Sequence, residues 1–205
     1  MKKFFSKYFE LLLIALTILF VFIKEHMHQY GDRVSMLFFG SLAFYYLASG
    51  ILVFLDKNRI GRIMRLIYLF GLWCVSITVI AVMTRIMLTQ MDKELLMAAI
   101  SANIGLMAYL VLYYRRLNAE DRKLLMIWIQ PLFIRSSLAL FIAFAFLIGS
   151  NYGIYSLFGT YRHDPRYTEK IVNAYENPDD TAIVNDYKRY DMLLRTPPAD
   201  TVEAN

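Results

Sequence analysis

The chain has 205 residues, of which 58% are hydrophobic and 19% are charged, and its mean hydropathy is +0.43. A typical soluble domain has about 45–50% apolar and about 25% charged residues, so this composition excludes a soluble globular enzyme, a disordered chain and a disulfide scaffold. The formal net charge of +5 combines +8 over residues 1–158 with −3 over residues 159–205, and the basic excess of the first part is a signal of membrane topology.

Five apolar segments are long enough to approach or cross the roughly 30 Å hydrocarbon core of a bilayer, which takes about 20 apolar residues in a helix. They lie at about residues 9–23, 34–55, 64–84, 95–114 and 132–152. Lysines precede the first segment as in a signal peptide, but residues 24–28 offer no small-residue cleavage site, so we predict an uncleaved helix. The predicted fold class is therefore all-α, a polytopic membrane protein with a five-helix transmembrane bundle in residues 1–158.

The region that leads into the fifth span is longer than one crossing needs. Residues 124–152 contain Pro131 and, four positions later, Arg135. Proline lacks a backbone N–H and suits the first turn of a helix, so we predict an interfacial helix at about 119–130 and a new helix after Pro131. The alternative is one long kinked helix. In that case Arg135 lies deep in the membrane and needs a partner, whereas a helix that starts after Pro131 leaves it one turn from the interface.

The Lys and Arg residues outside the spans are unevenly divided. Eleven of them, counting Arg65 at the edge of the third span, precede the first span or fall in the loops after the second and fourth spans, whereas the loops after the first and third spans hold four. Positive residues accumulate on the cytoplasmic side of membrane proteins. The sequence therefore predicts a cytoplasmic N-terminus and an extracytoplasmic C-terminus, in a bacterial inner membrane.

The polar tail, residues 159–195, shows two short amphipathic helical patterns that predict a helical hairpin outside the membrane. Helices this short are marginal alone and need a packing surface. Tyr175, Tyr187 and Tyr190 lie on the apolar stripes of these patterns, and we predict them as contacts for an extracytoplasmic protein partner. Residues 196–205 are predicted to be disordered.

Three histidines provide the main candidate metal site. His26 and His28 follow the first span and His163 follows the fifth, each near acidic residues. Neutral imidazoles beside carboxylates can bind Zn²⁺ or Cu²⁺, provided that the ends of these two spans meet. The single cysteine, Cys74, excludes disulfide exchange and cysteine-ligated metal centres. Since no histidine lies within a span to ligate haem, no cofactor is predicted.

Polar residues inside the spans are the other candidates, because they are costly in lipid. They are Arg135 and Asn103. Asn103 is predicted to hydrogen-bond between helices, and the small residues near it, such as Ala98 and Gly105, suit close helix packing. No acidic residue is predicted deep within a span, and we place Glu10 at the start of the first span. The absence of deep carboxylates counts against ion-coupled transport.

These observations predict a non-enzymatic integral membrane subunit or scaffold of a larger envelope complex, which docks partners through its transmembrane faces and its tail. The expected partners are the lipid bilayer, other membrane-protein subunits and an extracytoplasmic protein, and nucleic acid is not expected. One alternative is a small oligomeric transporter or channel, with Arg135 and Asn103 along its path. A second alternative is a metal-binding membrane enzyme at the outer interface.

Overall fold

The computed structural model describes residues 2–56 and 61–195, except for the side chains of residues 2–7, 28–29, 119–121 and 123–125. Over these residues the chain is all-helical, as predicted, with a 3₁₀ helix, Lys24–Tyr30, between the first two α-helices. The α-helices are α1 Lys2–Ile23, α2 Gly31–Leu55, α3 Arg62–Ile86, α4 Asp92–Arg115, α5 Ala119–Ile148, α6 Asn151–Phe158, α7 Pro165–Glu176 and α8 Thr181–Arg195. The predicted disordered end, 196–205, lies outside the described residues.

Four of the long helices are apolar enough to cross a membrane. They are α2, α3, α4 and the part of α5 from Met126 to Ile148, each with 23 to 25 residues. Helices of this length and composition indicate an integral membrane protein. The described side chains of α1 cover only residues 8–23, fewer than the roughly 20 residues that a crossing takes. The fifth span therefore stays a prediction.

The expected break at Pro131 is wrong, because α5 is one continuous helix from Ala119 to Ile148 with Pro131 inside it. Ile129 and Leu132, which flank the proline, are both buried in the core. Packing on both sides of the proline holds the helix together although one backbone donor is lost. The helix ends at Ile148, before the predicted limit at residue 152, and the next residues form the separate short helix α6.

Of the five long helices, α3 is the central one: it contacts α2, α4 and α5, while α1 packs against α2. Consecutive long helices run antiparallel. One end of the bundle is where α1, α3 and α5 finish and α2 and α4 begin. We call it the capped end, because it is covered by the cap (α6, α7 and α8, residues 151–195), of which α6 contacts α3, α7 bonds to Asp92 of α4, and α8 packs on α7. The opposite end, where α2 and α4 finish and α3 and α5 begin, is the basic end.

The predicted hairpin is present as α7 and α8, which pack against each other. Asp164 begins α7 as its N-cap, with its side chain accepting from the backbone N–H groups of Arg166 and Tyr167 at 2.9 and 3.1 Å. Tyr167 and Val172 of α7 are buried against Leu88, which belongs to the turn between α3 and α4. The hairpin is therefore docked on the capped end of the bundle.

Candidate functional site

An ion pair between α1 and α5 lies within the bundle. Arg135 donates through Nε to Glu10 Oε1 at 2.7 Å and through a second guanidinium nitrogen to Glu10 Oε2. The hydroxyl of Tyr46 donates to Glu10 Oε1 at 3.1 Å. The side chains of Glu10 and Arg135 are 9% and 28% exposed. The carboxylate thus accepts hydrogen bonds from both α2 and α5, and the two-pronged contact fixes the guanidinium in one orientation.

The pair lies at the depth of the apolar segments. Glu10 and Arg135 each precede the last residue of their helix, Ile23 and Ile148, by 13 positions, which is about 20 Å at 1.5 Å per residue. Each side chain neutralises a charge that would otherwise be strongly disfavoured there. The sequence predicted that Arg135 needs a partner if α5 is one continuous helix, and Glu10 is that partner.

The partner itself was missed, because we placed Glu10 at the beginning of the first span. Helix α1 starts at Lys2, so Glu10 lies two turns inside it. One signal was present in the sequence. Glu10 is the one acidic residue in the first apolar segment and Arg135 the one basic residue of the fifth, and buried charges of opposite sign tend to pair.

Asn103 makes the predicted bond between helices. Its Nδ2 donates to Thr78 Oγ1 of α3 at 2.9 Å and to the carbonyl of Ala99 at 2.8 Å, and the residue is fully buried. The Oδ1 atom finds no donor among the residues that the structure describes. Asn103 therefore joins α4 to the core of the bundle.

A second buried ion pair, at the capped end, was not predicted. Arg85 and Asp92 are both 0% exposed, and Arg85 donates to Asp92 Oδ2 at 3.1 Å. Arg85 also donates to the carbonyls of Phe146 and Gly149, at 3.2 and 2.9 Å. Carbonyls at a helix C-terminus lack partners within the helix, so this one arginine caps α5 and joins it to the ends of α3 and α4.

The cap completes this ion pair. The hydroxyl of Tyr175 in α7 donates to Asp92 Oδ1 at 2.5 Å. Burial, together with this bond to a carboxylate, raises the pKa of Tyr175 to about 12. One oxygen of Asp92 therefore accepts from the bundle and the other from the cap.

The other two predicted docking tyrosines also have partners within the chain. The hydroxyl of Tyr187 lies 3.3 Å from that of Tyr167, and the hydroxyl of Tyr190 donates to Asp164 Oδ2 at 2.9 Å. Like Tyr175, both are half-buried. These tyrosines therefore pack within the hairpin. Their role in docking a partner stays a prediction.

The histidine-bearing segments do meet. Glu25, in the 3₁₀ helix after α1, accepts from Arg162 Nε at 2.5 Å, and the Nε2 atoms of His163 and His26 lie 2.8 and 3.4 Å from its oxygens. Hydrogen bonding by Arg162 holds the pKa of Glu25 below its ordinary range. The guanidinium of Arg162 is hydrogen-bonded to the Glu25 carboxylate, and its positive charge repels a metal cation. We call this ion pair between the bundle and the cap the latch.

A metal site at His26, His28 and His163 stays a prediction, because the side chain of His28 lies outside the described residues. Among the side chains that the structure does describe, no group of three or more His, Cys, Asp or Glu could hold a metal ion.

A buried lysine supports the latch. Lys24 Nζ lies 3.1 Å from Asp32 Oδ1, which also accepts from Thr160 Oγ1 of the cap at 2.5 Å. Burial lowers the pKa of Lys24. A Cβ on Gly31 would lie 2.2 Å from the Lys24 carbonyl oxygen, so only glycine fits where the chain turns into α2.

No family model matches the chain, and comparison with curated proteins and with solved structures finds no match either.

Proposed function

We propose that the protein is a non-enzymatic integral membrane subunit that binds a transmembrane helix of a partner along the outward face of α4. This face is an exposed stripe of four small residues spaced three or four positions apart. They are Ala98, Ser101, Gly105 and Ala108. The buried residues of α4, including Leu96, Ala99 and Asn103, lie on its other side.

Small residues matter here because lipid tails are as apolar as hydrophobic side chains. Helices in a membrane therefore associate through close packing, which small residues permit. A Cβ added to Gly105 would meet no atom within 4 Å. Three large side chains beside the stripe are each about half exposed, namely Met97, Ile104 and Tyr109. The small residues therefore form the floor of a groove, and the large side chains form its edges. This groove is the observation that carries the proposal.

The groove continues towards the capped end. An open cleft there is lined by Thr84, Gln90, Met91, Glu94, Leu95 and Ala98. Glu94 and Ala98 belong to both the cleft and the exposed side of α4. A partner helix seated in the groove would therefore extend its contact into the turn between α3 and α4.

The proposal includes the predicted arrangement in the membrane, with α1 as a fifth span, the basic end in the cytoplasm and the cap outside a bacterial inner membrane. The excess of Lys and Arg at the basic end supports this orientation. A docking role for the cap would fall to the far side of α8, where Met192 and Leu193 are exposed.

Two matched glycine variants test the groove. Gly105 and Gly40 are both exposed helix residues, and a Cβ at either would meet no atom within 4 Å. Gly105→Ile would fill the groove, whereas Gly40→Ile places the same side chain on α2. We expect tagged Gly40→Ile, purified from native membranes in mild detergent, to retain a stoichiometric membrane partner that Gly105→Ile loses. Mass spectrometry measures the partner.

Equal recovery of the partner with both variants would contradict docking on α4. A lone homo-oligomer in place of a partner complex would contradict the subunit proposal as a whole.

The ion pair between Glu10 and Arg135 favours a second candidate, a small oligomeric transporter or channel. Ionisable residues within membrane helices frequently mark the path of an ion or substrate. Flux of solutes into liposomes that contain the purified protein would support this candidate if Arg135→Gln abolished it while circular dichroism showed that the helices of the variant are retained. Flux indistinguishable from that of empty liposomes would exclude it for the solutes tested.

A further inference from the structure

Arginines are concentrated at the basic end. Arg62, Arg115 and Arg116 are exposed there and Arg122 is half-exposed. Helix α4, which is long and apolar enough to cross a membrane, ends at Arg115. The turn from α4 into α5 therefore lies at the level where the hydrocarbon core gives way to the lipid headgroups.

One guanidinium at this turn is held in a fixed orientation. Arg122, in the first turn of α5, donates through a terminal nitrogen to the carbonyl of Arg115 at 3.0 Å. Its guanidinium carbon lies 5.4 Å from the centre of the Tyr114 ring. A hydrogen bond to the end of α4 and a contact with an aromatic ring thus restrain the same charged group.

Arg122 retains unused hydrogen-bond donors. A guanidinium has five N–H groups, and the structure gives Arg122 one acceptor among the described residues. Its Nε has none there. Because the Nε is buried, the donors within reach of a ligand are those of the terminal nitrogens, which can form charge-assisted hydrogen bonds to an anionic acceptor.

Aromatic side chains lie within about two helical turns of these arginines, towards the middle of the bundle. Tyr109 and Tyr113 stack with ring centres 6.1 Å apart along α4, and Trp128 of α5 lies 5.8 Å from Tyr68. Tyrosine and tryptophan concentrate at the headgroup level of membranes. The arginines therefore lie where phospholipid phosphates are the abundant acceptors, and arginine binds phosphate oxygens in pairs.

We propose that Arg122, with Arg115 and Arg116, binds the phosphate group of an anionic phospholipid at the basic end. The three guanidiniums supply the positive charge, and Arg122 supplies the oriented donors. An anionic lipid is favoured over a zwitterionic one because its headgroup carries a net negative charge. This site is separate from the groove on α4 and does not require a partner protein.

Binding of a short-chain phosphatidylglycerol to the purified full chain in detergent tests the proposal. Arg122→Lys keeps the charge and loses the planar group, and Arg62→Lys makes the same change at the neighbouring turn. We expect Arg122→Lys to weaken binding about tenfold, since a charged hydrogen bond contributes roughly that factor, and Arg62→Lys to change it less than about twofold. Arg122→Gln should weaken binding at least as much as Arg122→Lys.

Three results would overturn the proposal. Equal effects of the two lysine variants would mean that only diffuse charge attracts the lipid. Equal affinity for phosphatidylcholine would remove the preference for anionic headgroups. Displacement of the lipid by inorganic phosphate at matched concentration would identify the site as one for free phosphate. Circular dichroism of each variant verifies that the helices are retained.

Discussion

Arg85, Lys24 and Arg135 each lie against a carboxylate from another element. Their partners are Asp92, Asp32 and Glu10. Removing a charge from water is expensive, and the expense is recovered only when an opposite charge and further hydrogen bonds satisfy it. The positions of these side chains are therefore interdependent, and a change at one partner strands the other.

The Glu10–Arg135 pair allows a residue-scale prediction. Arg135→Gln leaves the Glu10 carboxylate inside the bundle with Tyr46 as a neutral donor, so we expect destabilisation by about 3–5 kcal/mol. The double variant Glu10→Gln with Arg135→Gln should lose less than the sum of the two single losses, because neither charge is stranded. Unfolding in mixed micelles, followed by helicity, measures these free energies. Strictly additive losses would show that the two side chains do not interact.

At the scale of the helix, the space around each glycine distinguishes a packed helix face from an open one. A Cβ at Gly71 of α3 would lie 2.7 Å from a Leu132 methyl carbon, and Leu132 is fully buried. At Gly105 and Gly40 it would meet nothing within 4 Å. The same residue type thus permits close packing of α3 on α5 in one place and leaves open surface in the others.

Alanine substitution at these glycines should have opposite effects. Gly71→Ala forces Leu132 to move in a packed core, so we expect a loss of about 1–3 kcal/mol. Gly105→Ala and Gly40→Ala should be neutral or stabilise by up to about 1 kcal/mol, because alanine favours the helix. Thermal unfolding in detergent compares the three variants. Similar midpoints for all three would contradict the close packing at Gly71.

The prediction of the elements was good where hydrophobic runs decided them. Four predicted spans correspond to α2, α3, α4 and the apolar part of α5, and the tail hairpin corresponds to α7 and α8. The local rule for proline failed at Pro131, because tertiary contacts of Ile129 and Leu132 outweigh one missing hydrogen bond. Helix α6 was missed because its apolar residues continued the run of the fifth span.

At the scale of the whole molecule, the cap and the bundle are joined by polar contacts at two places. At one place Tyr175 binds Asp92 of α4, and at the other Arg162 binds Glu25 after α1 and Thr160 binds Asp32 of α2. Glu25 has a pKa below its ordinary value of 4.5, chiefly because Arg162 hydrogen-bonds to it. A carboxylate of this kind stabilises the folded state above its unfolded pKa, and that contribution is lost as the pH falls through the folded pKa.

This linkage predicts a pH-dependent difference between the natural chain and Glu25→Gln, which lacks the charge. We expect the natural chain to unfold at the higher temperature at neutral pH, and the gap to close as the pH falls below about 4.5. The near-ultraviolet circular dichroism of the cap tyrosines during heating reports the transition. A gap that stayed constant across this pH range would contradict an ionised Glu25 in the latch.

The sequence alone determined that this is a helical, membrane-type chain with a polar helical tail, because hydrophobic run length and capping patterns are local properties. It also singled out Arg135 and Asn103, because polar groups are conspicuous within apolar runs. Only the tertiary structure decided that Arg135 pairs with Glu10, that Arg85 and Asp92 lie beneath the cap, and which side of α4 is open. Those features depend on contacts between residues far apart in the chain. The sequence around a charged or small residue does not indicate which distant residue it contacts.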